Sequence, residues 1–282
     1  MKNSAAAISG LLCLAAVAAG SSRAQDLDDA WAQSHAIIAS AGKPRSPVEF
    51  VAVEGGTFAM GIDDGRSVVN DARPVHEVAL KTFELSATLV TVEQYAECVI
   101  DGACTQPGTG DGCNWGRASR RRHPINCVDW DQANQFAAFK GARLPSEAEF
   151  EYAATSGGKS GKYPWGDEDP TCDRAVMSGE NGFGCGANGT MPVCSKPAGN
   201  TASGLCDMTG NVWEWMQDAY RDSYAGAPAD GRAFEAAGSN RSLRGGSFSS
   251  SEPGRLRASS RGFEGPGFRF DSIGFRLARS SP

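Results

Sequence analysis

Short alternating runs of apolar and polar residues occur at Phe50-Val51-Ala52-Val53, from Val75 to Leu80 and from Ile273 to Leu277, and each predicts a strand. Three other stretches repeat with helical spacing and open on a capping signal. Thr91-Val92-Glu93-Gln94 sets a hydroxyl three residues before a glutamine, ahead of Tyr95, Ala96 and Val99. Asp129-Trp130-Asp131-Gln132 sets a carboxylate at the same spacing ahead of Ala133, Phe136, Ala137 and Phe139. In Pro145-Ser146-Glu147-Ala148-Glu149, Ser146 caps toward Glu149 and a stripe of Phe150, Ala153 and Ala154 follows. Glycine, 35 residues in all, sits singly between these runs, which calls for tight turns rather than long helices. The pattern predicts a loop-rich α+β chain.

The first 24 residues follow another rule. Lys2, an apolar run from Ala5 to Ala19 and the small-x-small triplet Ser22-Arg23-Ala24 predict a signal peptide over 1–24. That run is shorter than the ~20 residues of a membrane span, and Asp26, Asp28 and Asp29 follow it, so no span remains after its removal. A lipoprotein reading at Cys13 is weaker, since Leu12 stands where a small residue belongs. Residues 25–48 are polar and alanine-rich and predict a leader; 49–282 predict one domain without internal repeats. The expected location is secreted or periplasmic.

Charge narrows the function. The chain carries 27 Lys and Arg against 33 Asp and Glu, and loss of 1–24 removes only Lys2 and Arg23. An acidic chain has no electrostatic drive toward nucleic acid. The eight cysteines beyond residue 24 suit an oxidising compartment. Eight allow 105 pairings, and their clustering makes a sequential scheme the simplest: Cys98 with Cys104, Cys113 with Cys127, Cys172 with Cys185, Cys194 with Cys206. Zinc is the alternative, yet no C-x-x-C occurs and His35, His76 and His123 are scattered.

Several motifs stand in one order: Gly55 to Gly61, Pro74-Val75-His76-Glu77-Val78, Arg143 to Ala153, Tyr163-Pro164-Trp165-Gly166, Gly204 to Trp215, Arg244-Gly245-Gly246-Ser247-Phe248 and Gly274 to Ala278. Over about residues 50 to 279 they resemble the formylglycine-generating enzyme (sulfatase-modifying factor) family. The resemblance implies a loop-rich variant of the C-type lectin fold. It also implies a structural calcium held by Asp207, the carbonyls of Gly210 and Val212, and Glu214; the residues alone equally allow a turn in which Asp207 accepts backbone N–H bonds while Trp213 and Trp215 pack inside. A second calcium site of the family falls between Cys172 and Gly189, where no ligands carry over.

Activity in that family depends on two cysteines after the Gly-Gly-Ser-aromatic block, which hold copper and oxidise a substrate cysteine to formylglycine. Here the two positions are Ser250 and Arg255, and no cysteine follows Cys206. A hydroxyl is a hard, neutral ligand and a guanidinium repels a cation, so copper is not expected. Other branches of the fold work in siderophore maturation or hold iron on a histidine cluster, and this chain has no such cluster. Neither H-E-x-x-H, a Walker A loop nor G-x-S-x-G is present. The segment from Ser247 to Asp271 offers Arg257, Arg261 and Phe263 as a ligand groove, unless the arginines pair with acids and the phenylalanines fill the core. Two functions follow: a calcium-stabilised binding or accessory module for a protein, peptide or small carbohydrate-like ligand, or an oxidase working through a different metal site.

Overall fold

All three capping boxes close as their spacing requires. In α1 (Val92–Ile100) the Thr91 hydroxyl accepts from the Gln94 N–H at 3.3 Å, while Gln94 Oε1 accepts from the Thr91 N–H at 2.9 Å. Asp129 and Gln132 make the same reciprocal pair at α2 (Trp130–Phe139), and Ser146 and Glu149 at α3 (Glu147–Ala154). Each cap contributes about 1 kcal/mol to a helix too short to persist alone. The computed structural model describes residues 46–63 and 70–281, so the expected signal peptide and most of the leader lie outside the described residues.

The strands form three small sheets. β1 (Phe50–Val53) and β9 (Ala278–Ser280) flank β4 (Phe83–Ser86), both antiparallel. β2 (Gly56–Met60) and β3 (His76–Leu80) make a separate antiparallel pair. The largest sheet has the order β7-β6-β5-β8, from β5 (Trp213–Ala219), β6 (Arg241–Arg244), β7 (Arg261–Glu264) and β8 (Ile273–Gly274), with β8 parallel to β5. Alternation along β2 and β3 turns Phe58, Met60, Val78 and Leu80 inward, against Phe150 and Tyr152 of α3 and Met208 and Met216 from around β5. A stack of Tyr95 on Phe136, with centroids 5.6 Å apart, joins α1 to α2, and Phe275 meets both edge-on.

The run from Ile273 to Leu277 is not one strand. It splits because the chain changes sheets: Phe275 and Leu277 carbonyls accept from Val90 and Ser86 N–H groups between β8 and β9, and Phe275, Arg276 and Leu277 are fully buried there. Four disulfides join Cys98 to Cys104, Cys113 to Cys127, Cys172 to Cys185 and Cys194 to Cys206, the sequential scheme. They fit an extracytoplasmic compartment. Among the described residues no helix is long and apolar enough to cross a membrane.

Candidate functional site

Three loops are laced together beside β5 and β6. The turn after β6 receives a bond from Gly210 N–H to the Gly245 carbonyl (2.9 Å) and returns one from Phe248 N–H to the Asn211 carbonyl (2.9 Å). The loop closed by Cys172–Cys185 packs on the same turn, with Ser178 N–H donating to the Ser250 carbonyl (3.0 Å) and Gly184 N–H to that of Phe248 (2.9 Å). Only glycine suits position 210, where φ is +83° and a Cβ would lie 2.5 Å from the Val176 carbonyl oxygen.

On this base, Trp213, Ser249, Ser250, Ser251, Glu252 and Arg255 line an open cleft of about 240 Å³. The Ser250 hydroxyl is buried and accepts from Ser247 N–H at 3.1 Å, so it braces the turn. Arg255 stands exposed, with Nε 3.8 Å from the Glu252 carboxylate. An exposed pair of this kind contributes only about 0–1 kcal/mol and can open. No histidine lines the cleft. His123 is held by Thr190, with Nδ1 2.9 Å from its hydroxyl, and burial together with Arg120 pushes its pKa down to about 4. His76 lies beside Tyr224, its Nδ1 3.1 Å from the Pro74 carbonyl. Neither lines the cleft, and His35 lies outside the described residues.

Copper does not fit here. The two positions hold a braced hydroxyl and a guanidinium, and all eight cysteines among the described residues are in disulfides.

The turn from Asp207 to Glu214 is built differently. Asp207 and Glu214 are both buried; Asp207 Oδ2 accepts from Cys194 N–H at 2.8 Å, and Glu214 takes two bonds from the Arg276 guanidinium at 2.6 and 2.9 Å. Burial pushes both acids up, and for Glu214 the nearby Asp207 charge adds to it, against the pull of Arg276. Two carboxylates against one guanidinium leave one buried negative charge, which a cation at the Asp207 side would neutralise. A calcium ion here would be held by Asp207 and Glu214 with the carbonyls of Gly210 and Val212, and would supply the positive charge that the two acids and one guanidinium lack.

The three residues expected as a ligand groove lie outside this cleft. Arg261 is buried: it makes a two-pronged bond to Glu147 (2.8 Å each) and donates to the Asp71 and Arg221 carbonyls. Four of the five guanidinium N–H donors are thus taken up inside the protein. Arg257 is half-buried and bonded to the Tyr163 hydroxyl, and Phe263 lies exposed on β7, stacked on Tyr220 at 4.3 Å. None of the three lines the cleft. The cleft wall that sequence reasoning missed is Trp213, placed inside only in the alternative turn reading; it is partly exposed at the first position of β5, while Trp215 two residues on is fully buried.

Residues 37–281 match the sulfatase-modifying factor enzyme 1-like domain. The chain belongs to that family. Among its relatives, the formylglycine-generating enzyme of Streptomyces coelicolor is 31% identical, over 86% of this chain and 92% of that protein. The serine/threonine-protein kinase Pkn1 of Chlamydia trachomatis serovar L2 is 36% identical over 82% of this chain, which spans only 38% of the kinase's length. PvdO from Pseudomonas aeruginosa, a solved structure of the same fold, has a TM-score of 0.71 at 32% identity, covering 85% of this chain and 100% of that one. The sulfatase-modifying factor fold of this chain is thus loop-rich α+β, as expected.

Proposed function

We propose that this sulfatase-modifying factor domain is an exported binding or accessory module, with the Ser249–Arg255 cleft as its ligand face and calcium at the Asp207 turn. The observation that carries the reading is the replacement of two thiols by Ser250 and Arg255 in a fold whose other cysteines are all closed in disulfides among the described residues. Pkn1 supports it, because a domain like this one there forms part of a longer protein that also bears a kinase name. Export agrees with the 1–24 pattern and with four disulfides.

A second reading is oxidation through groups other than thiols. It is favoured by the near full-length match to an enzyme, the Streptomyces protein. One experiment separates the two: anaerobic Cu(I) titration of the purified protein, followed by oxygen uptake with a cysteine-containing sulfatase peptide. The binding-module reading expects neither copper binding nor turnover, and turnover would overthrow it.

A further inference from the structure

We infer that the cleft takes a neutral saccharide, holding two adjacent ring hydroxyls between Glu252 and Arg255 with Trp213 as its side wall. This rests on the binding-module reading and adds the ligand's chemical class.

Charge comes first. The cleft carries one carboxylate and one guanidinium 3.8 Å apart, so its charges cancel. A simple anion gains from Arg255 but meets Glu252, and a simple cation meets the reverse. A neutral diol meets neither penalty. Each of its hydroxyls both donates and accepts, whereas Glu252 only accepts and Arg255 only donates, so two neighbouring hydroxyls satisfy both side chains at once. Because the Glu252–Arg255 pair is about two-thirds exposed, separating it to admit the diol costs little.

The rest of the lining agrees. Ser249 and Ser251 are exposed on the same wall and can donate or accept as a third hydroxyl requires. Trp213 supplies an aromatic surface for the apolar C–H side of a ring, as amphipathic ligands need. The floor is already ordered: Ser247 N–H is bonded to Ser250 Oγ and Ser178 N–H to the Ser250 carbonyl, so little order remains to be imposed on binding. At about 240 Å³ the cleft is smaller than the ~300 Å³ typical of sites for drug-sized ligands, which suits one ring or the end of a glycan.

The test uses the full exported chain labelled with ¹⁵N. The Trp213 indole signal is assigned by its loss in Trp213→Phe, and the wild-type protein is titrated with methyl α-mannoside, methyl β-galactoside, N-acetylglucosamine and matching deoxy-sugars. N-acetylglycine amide and glycylglycine serve as peptide probes, and acetate as the anion probe. We expect saturable shifts of the Trp213 indole with at least one saccharide. Deleting either adjacent hydroxyl, or introducing Arg255→Gln, weakens that binding about ten-fold. Ile100→Ala, at an exposed position on α1 outside the cleft lining, leaves it unchanged. Saturable shifts with the peptide or acetate probes and none with sugars would overturn the saccharide inference while leaving the cleft as the ligand face. No shift with any probe would count against both.

Discussion

Arg261 shows how a single side chain can be misjudged from its neighbours in sequence. Flanked by Ser260, Gly262 and Phe263, it reads as a surface donor, yet it closes a buried pair with Glu147. Arg244 beside it is fully buried and paired with Glu151, and Arg143 binds Glu149. The three glutamates occupy alternate positions of α3 and all are buried, so each needs a cation from another part of the chain. Arg261→Met should therefore destabilise the fold by about 3–5 kcal/mol in chemical denaturation, because it removes both close bonds to the buried Glu147 carboxylate and leaves only Arg244, at 3.9 Å, beside it. Asp218 is a second buried acid at this place. It accepts from the Glu147 and Phe234 N–H groups at 2.9 Å each, and burial, then the Glu147 charge, pushes its pKa up to about 7. A raised carboxyl holds its proton in the folded state, so its contribution is full below the ordinary carboxylate range and is lost as pH rises toward 7. Comparing wild type with Asp218→Asn by melting from pH 4 to 7.5 should show the difference moving in favour of the variant as pH rises. A constant offset would exclude titration of Asp218 in this window.

Among the elements, the helices were legible because their signals are local. A capping box needs two residues three apart, and all three boxes close. The strands were legible where apolar and polar residues alternate, as in β1 and β3, while β2 went unread; β5 and β6 lie where both sides pack and alternation disappears. The loop from Cys172 to Cys185 bears no periodic signal, yet it supports the cleft through Ser178 and Gly184. Replacing both of its cysteines by serine should cost about 2–4 kcal/mol. It should also raise hydrogen exchange at residues 247–250 more than at α2, which hydrogen–deuterium exchange mass spectrometry resolves. Equal protection in both places would mean that the disulfide does not hold the cleft wall.

For the molecule as a whole, small sheets and short helices are joined by loops, and stability depends on cross-links between distant segments. The Arg276–Glu214 pair ties β5 to the C-terminal segment, and its donors also reach the Ser86 and Cys206 carbonyls. The proposed calcium would add a further tie at Asp207, next to the Cys194–Cys206 disulfide. Chelation should then lower the melting temperature and excess calcium restore it, since a ligand that binds only the folded state stabilises it by mass action. Unchanged melting in chelator would remove calcium from the Asp207 turn.

Helix starts, strand β3 and the sequential pairing of clustered cysteines could all be read from residue order, because each depends on residues close in the chain; the loss of both thiols came from setting the Gly245–Phe248 block beside the family's pattern. Long-range pairing could not. Glu147 is 114 residues from Arg261 and Glu214 is 62 from Arg276, and whether a guanidinium faces a ligand or a buried carboxylate depends on which loops fold over it. The cleft likewise joins Trp213 at the start of β5 to a serine turn beyond β6, and no local pattern records that two segments on neighbouring strands share one wall.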